Sequence, residues 1–415
     1  MSTRLRHAAA SRTSVLLLGQ VVAAGAAFGI NILAAKVMAP ADRGVLALAL
    51  QLSYMATTAA LLGVESPYVA RRSGSFPQVA RELVSLMRLS VLLPAAGLVT
   101  GMALYLTGHI EVAVILVLGS LYAYGNTYVR AVRAAYIASN AAKPFLVTAV
   151  VSQIVLLALA ALLVLLDIGD PSFWVGAYII VSLPAVAILL AQARGARPID
   201  QDARAELAVV RRQGLRLLPA SFGNTAMLRS DRLLLPALAS VSELGLYIVV
   251  ATAMEIAGWP VKQWVDSSLR RWREQGRALR AGLLVARATV LALALSLVGG
   301  GVTYVAVVVF LPEPYRASTM LIPVLGCATT IYAATRVQQG LLVARGQSTQ
   351  VSIVEISGML AAVAMYVALI PTWGAMGAAM GSVIGYAVCL AAGAWALHRS
   401  PSAMDRSTHS GEATL

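Results

Sequence analysis

Residues Pro144–Leu166 read PFLVTAVVSQIVLLALAALLVLL, without a single charged side chain. An α-helix rises ~1.5 Å per residue, so this stretch alone crosses the ~30 Å hydrocarbon core of a bilayer. Similar apolar runs recur along the whole chain and leave no room for a sizeable soluble domain. Of 415 residues 59% are hydrophobic and 12% charged, whereas a soluble domain carries about 25% charged residues. The chain therefore reads as an integral membrane protein. A β-barrel is excluded, because its strands would alternate polar and apolar residues in ~10-residue pieces.

Dividing the chain at charged and Pro/Gly punctuation predicts an all-α polytopic fold with about twelve transmembrane helices. They lie near 14–37, 44–64, 87–107, 111–136, 144–166, 172–193, 214–238, 242–264, 282–311, 317–342, 351–370 and 374–397. Gly299-Gly300-Gly301 marks a candidate kink in the ninth. The first thirty residues resemble a secretory signal, but the apolar run continues to Met38, so they read as a retained first span.

The net charge of +14 is explained by topology and not by a nucleic-acid partner. Arg4, Arg6 and Arg12, Arg71, Arg72, Arg81 and Arg88, six arginines from Arg194 to Arg216, and five from Arg270 to Arg280 all fall on one side. The opposite connections GHIE, DIGDPS and ASVSE hold no Lys or Arg, and only Lys36, Arg43 and Arg316 lie near that side. The positive-inside rule places both termini in the cytoplasm of a multi-pass protein of the cytoplasmic (inner) membrane. Trp174 and Trp373 are expected at the outer interface, Trp264 and Trp395 at the inner one.

An internal repeat accompanies the spans. Asp42-Arg43-Gly44 matches Glu243-Leu244-Gly245, Val64-Glu65-Ser66 matches Val265-Asp266-Ser267, and Arg72 matches Arg273, all at an offset of 201 (243 − 42). A weaker match sets YVRAVRAAYIA from Tyr128 against ATRVQQGLLVA from Ala334, aligning Arg130 with Arg336. The expected organisation is two pseudo-symmetric six-helix bundles, 1–193 and 214–398, around a central cavity, joined by a cytoplasmic linker at 194–213 and followed by a disordered cytoplasmic tail at 399–415.

Cys327 and Cys389 both fall inside predicted spans and the four histidines are scattered, so neither a disulfide nor a metal site is expected. No Walker A, HExxH or Ser/His/Asp pattern can be singled out, and the outer loops are too short to build an extracytoplasmic active site. The chain reads as a carrier without cofactor, not an enzyme.

Chemistry is sought where ionisable groups enter a span, each at a cost of ~2.5–3.5 kcal/mol or more. In the segment MLRSDRLLLP, Met227–Pro236, residues Arg229 and Arg232 continue a polar stripe begun by Ser221 and Thr225 at helical spacing, while Asp231 points ~100° away from Arg232. Arg229 lies nine residues before Leu238, roughly 14 Å along the helix. Two readings stand. Either Arg232 snorkels and Asp231 neutralises an arginine during insertion, or the two arginines line a cavity and bind an anionic headgroup through paired hydrogen bonds. Arg130 and Arg133 in span four and Arg336 in span ten are candidates for the same cavity or for helix-end snorkels. Glu255, in the middle of span eight, is either an ion relay or the counter-charge of a cavity arginine.

These residues carry a family resemblance. LRSDRLLLPALASVSELGLYIVVA (Leu228–Ala251) resembles the Asp-Arg-Leu-Leu-Leu span and Gly-Leu-Tyr helix of bacterial polysaccharide and O-antigen flippases, in the multidrug/oligosaccharidyl-lipid/polysaccharide exporter superfamily. MAPADRGVLALAL (Met38–Leu50) is similar to their turn after span one, and LLVARGQS (Leu341–Ser348) to the end of their span ten. The resemblance falls on Pro40, Asp42, Gly44, Asp231, Arg232, Gly245, Leu246 and Tyr247. Span one lacks an Asp-Arg pair, and the two additional spans of the lipid II flippase branch are absent.

The resemblance implies a flippase that moves an undecaprenyl-pyrophosphate-linked oligosaccharide from the inner to the outer leaflet by alternating access, with Asp231 positioning an arginine. Its expected partners are that lipid, the bilayer, and glycosyltransferases or a polymerase of the same pathway. The alternatives are a cation-coupled drug or metabolite antiporter of the same superfamily and a transport-inactive membrane scaffold.

Overall fold

The computed structural model describes residues 22–275 and 280–399, and their regular structure is helical throughout. The start of span one, Arg4, Arg6, Arg12, Arg277 and the tail at 400–415 lie outside the described residues.

The chain forms two compact units, Met1–Thr225 and Ala226–Leu415. The first contains α1 (Val22–Val37), α2 (Pro40–Ala60), the short α3 (Glu65–Arg71) and α4 (Phe76–Leu86), a 3-10 turn at Arg88–Val91, then α5 (Leu92–Leu106), α6 (Ile110–Ala138), α7 (Ala142–Leu165), α8 (Pro171–Gly195) and the first part of α9 (Gln201–Leu238). The second contains the rest of α9, α10 (Val241–Gln275), α11 (Ala281–Phe310), a 3-10 segment at Glu313–Met320, α12 (Leu321–Ala344) and α13 (Ser348–Arg399).

Among the described residues eight helical stretches are long and apolar enough to cross a membrane, and one of these, Thr349–Arg399, is two spans joined at Gly374. Helices α1, α2 and α9 complete the twelve expected spans. The protein is an all-α, multi-pass membrane protein with two pseudo-symmetric lobes.

Helix ends follow local chemistry. Pro40 opens α2 with Asp42 in its first turn, and Pro171 opens α8 with the Asp170 carboxylate accepting from Ser172 N at 2.7 Å. At Gly374 the backbone adopts φ 53°, ψ −129°, which a residue with a Cβ rarely enters. The second limb of α13 is capped there from a distance, because Glu243 Oε2 accepts from Ala375 N at 2.7 Å. Within each unit small residues let helices approach closely. A Cβ at Gly125 would meet Ser182 Oγ at 2.0 Å, and one at Gly358 would meet Cys389 Sγ at 1.9 Å.

The structure differs from the sequence expectation at four places. Residues 194–213 are helical from Gln201, and Ala203, Leu207 and Val210 are buried at i, i+4, i+7 spacing, Leu207 and Val210 in the core that holds Tyr68, Leu83, Tyr128 and Leu189. The dense charge on the outer face of this segment hid the apolar stripe. Helix α11 continues unbroken through Gly299–Gly301, where Gly300 packs near Ile322 and Gly299 near Ala257. Trp174 is 1% exposed, its indole donating to Ile168 O at 2.9 Å, so it is a core residue and not an interfacial one. The matched segments of the repeat also diverge: α2 ends at Ala60 and Leu62 and Gly63 take positive φ in the turn that follows, whereas α10 continues through Val265-Asp266-Ser267.

Candidate functional site

Helices α9 and α10 are joined by only Ala239 and Ser240, so they lie side by side and antiparallel. On α9, Arg229 and Arg232 share a face. On α10, Tyr247 and Glu255 are eight residues apart and share another. These faces meet around two carboxylates with different partners. Glu255 receives both guanidinium groups: Arg229 Nη1 lies 3.2 Å from Oε2, and Arg232 Nη2 bonds Oε1. The Arg232 side chain is 7% exposed, whereas Arg229 and Glu255 are 28% and 36% exposed. Arg232 Nε is buried with no acceptor among the described residues.

Asp231, beside Arg232 in the chain, has its own hydrogen-bond partners. Its Oδ2 accepts from Tyr247 Oη at 2.6 Å, and its Oδ1 accepts from the backbone N of Arg232 at 2.8 Å. Neither of these bonds is to a guanidinium group, and the ~100° step between successive helical residues turns Asp231 from the Arg232 side chain. The carboxylate that holds the arginines is Glu255, and Asp231 instead ties α9 to α10 through Tyr247. Nearby in the same unit, Tyr366 Oη and Ser382 Oγ are hydrogen-bonded at 2.8 Å across the two limbs of α13. The side chains of Ser221 and Thr225, the earlier members of the stripe, lie outside the described residues.

Arg336, on α12, donates to Gln339 Oε1 at 2.9 Å. Gln338 and Gln339 beside it are 5% and 3% exposed, and Gln338 rests against Gly393 of α13.

In the first unit Arg130 and Arg133 separate. Arg130 Nε donates to Glu65 Oε1 at 3.0 Å and Nη1 to Thr58 Oγ1 at 3.2 Å, with the guanidinium 5.9 Å from the Tyr54 ring. Arg133 is exposed and sits 5.3 Å above the Phe145 ring on α7. Glu65 and Tyr247 are the residues that sequence reasoning did not assign to these arrangements. Glu65 carried a signal as the acid of the repeated Val-Glu-Ser element, but its partner was out of reach, because Arg130 is separated from it by 65 positions.

The internal repeat gives this geometry a counterpart. At the offset of 201, Asn31 of α1 matches Arg232 (232 − 31), and Asn31 accepts a bond from Arg43, the first-turn arginine of α2. Both units thus bridge their first two spans with a polar contact, buried in the first and partly buried in the second. It is neutral on one side in the first unit and doubly charged in the second.

No family profile and no curated protein matches the chain. Solved structures do. The lipid II flippase MurJ in an inward closed conformation superposes with a TM-score of 0.67 at 10% identity, covering 94% of this chain and 88% of that one. A multidrug resistance MATE family transporter of the MOP superfamily, inward-facing, gives 0.66 at 13% identity over 92% and 94%. The MATE multidrug transporter DinF-BH in complex with R6G gives 0.59 at 16% identity over 94% and 96%. The chain has the fold of these transporters.

Proposed function

We propose that the protein is a flippase for a polyprenyl-pyrophosphate-linked oligosaccharide, carrying the headgroup from the cytoplasmic to the outer leaflet by alternating access while the lipid tail stays in the bilayer. Both termini are placed in the cytoplasm, because the arginine-rich connections share one side. The observation that carries the reading is the pairing of Arg229 and Arg232 with one carboxylate inside the membrane span. Arg232 keeps a buried Nε donor with no acceptor among the described residues, and guanidinium suits phosphate through paired, charge-assisted bonds. A pyrophosphate cannot cross hydrocarbon unaided, and opposite charge in a site of limited water offsets that cost. That a lipid II flippase uses this fold supports the reading. A cation carrier would present carboxylates in excess of arginines at such a site, and this one does not.

The test is deletion of the gene, followed by measurement of lipid-linked oligosaccharide in the two leaflets. Accumulation in the inner leaflet is expected, with loss of surface polysaccharide. Unchanged surface polysaccharide and no accumulation would sink the proposal. In complementation, Arg229→Ala/Arg232→Ala is expected to be inactive at normal membrane abundance, and Arg229→Lys/Arg232→Lys to retain part of the activity.

A further inference from the structure

At the arginine-rich end of the first unit, α4, α8 and the first turns of α9 enclose a cleft of ≈ 880 Å³. Five arginines line it: Arg81, Arg88, Arg194, Arg204 and Arg211. Among the described lining residues none is acidic. The carboxylates nearest in sequence are engaged elsewhere or lie on the solvent side: Asp200 caps Ala203 N, Glu206 pairs with Arg72, and Asp202 is exposed. Arg81 donates one bond to Ala196 O, and no ion pair to a carboxylate is found for any of the five among the described residues. Gathering five like charges around one concavity is unfavourable unless an anion enters it.

The position of the cleft says which anion. Arg88 stands at the start of the 3-10 turn that leads into α5, and the residues following it, Leu89, Val91 and Leu92, are exposed and apolar, as lipid-facing residues are. Arg194 stands in the last turn of α8. Both therefore sit where a span ends, at the depth of lipid phosphates. Apart from Ser85, the remainder of the wall is apolar, with Val84, Leu86, Leu190 and Leu207 its largest aliphatic members. A site with guanidinium groups at phosphate depth and an apolar wall is matched to a phosphate ester that carries hydrocarbon, more than to a free ion.

We propose that this cleft binds the headgroup of an anionic glycerophospholipid of the surrounding leaflet. The site lies wholly within the first unit and does not depend on which substrate the protein carries.

The test uses the full chain in vesicles of phosphatidylcholine and phosphatidylglycerol, extracted gently and examined by native mass spectrometry. The wild type is expected to retain phosphatidylglycerol over phosphatidylcholine. Arg88→Gln/Arg194→Gln/Arg204→Gln should lower that retention on the order of tenfold to a hundredfold, while the corresponding triple lysine variant keeps most of it. Arg287→Gln/Arg316→Gln, which removes charge elsewhere, should leave it unchanged. Equal retention by the wild type and the triple glutamine variant overturns the proposal, as does equal loss in the control. Displacement of phosphatidylglycerol by inorganic phosphate would show that no lipid is needed. Displacement by added polyprenyl pyrophosphate alone would reassign the cleft to the carried substrate, and the phospholipid assignment would fall.

Discussion

Glu255 is the residue on which the charge arrangement of the second unit turns. Replacing it with alanine leaves Arg232, whose side chain is 7% exposed, without its carboxylate. Breaking such a pair is expected to cost about 2–4 kcal/mol, the lower end reflecting the partial exposure of Glu255. Thermal unfolding in detergent checks this, and Glu255→Ala/Arg232→Leu should recover part of the loss; a double variant no more stable than the single one would show that the two are uncoupled. Tyr247→Phe removes the 2.6 Å bond to Asp231 and should destabilise by about 1–3 kcal/mol, an effect that Asp231→Asn in the same chain reduces. At this scale the sequence was half legible. The shared face of Arg229 and Arg232 follows from their spacing, and so does the divergence of Asp231. Partner choice does not, because it depends on the rotation of α10 about its own axis.

Elements show where a single glycine or a single carboxylate decides a boundary. Gly63, at φ +67°, ends the second span of the first unit, and a Cβ there would lie 2.5 Å from Gly214 O on α9. Gly63→Val therefore combines backbone strain with a collision, and a loss of at least about 2 kcal/mol is expected in a melt, whereas Gly108→Ala, at a position with open space, should cost less. The repeat partner of Gly63 is Trp264 (264 − 63 = 201), which is why α10 runs on where α2 stops. Helices α3 and α4 occupy a stretch that reads as a mere connection in the sequence. There Glu82, 1% exposed, accepts from Tyr68 Oη at 2.8 Å and from Arg72 through both oxygens. Burial, with the Glu82 charge, raises the Tyr68 phenol well above its ordinary value. The unfolded chain ionises this tyrosine above about pH 10 while the folded one keeps its proton, so stability falls as pH rises past that point. Tyr68→Phe should flatten the alkaline limb of a stability–pH profile.

Over the whole molecule the number and order of spans were legible, because insertion into lipid demands long apolar runs whatever the tertiary contacts. The packing of the charged segment from Arg194 to Gly214, which reads as the joint between the bundles, was not. Composition sees the arginines on the outer face of that segment. The core sees Leu207 and Val210, and these bind the segment to the first unit.

Because Leu207 and Val210 fill the core around Tyr68 and Leu189, the first unit cannot close until the chain has been synthesised well past its sixth span. During translation, the earlier spans must wait in the membrane with that side of their core open. Assembly in time therefore does not follow the six-plus-six symmetry of the spans: the opening turns of the seventh are the last piece of the first unit and the beginning of the second.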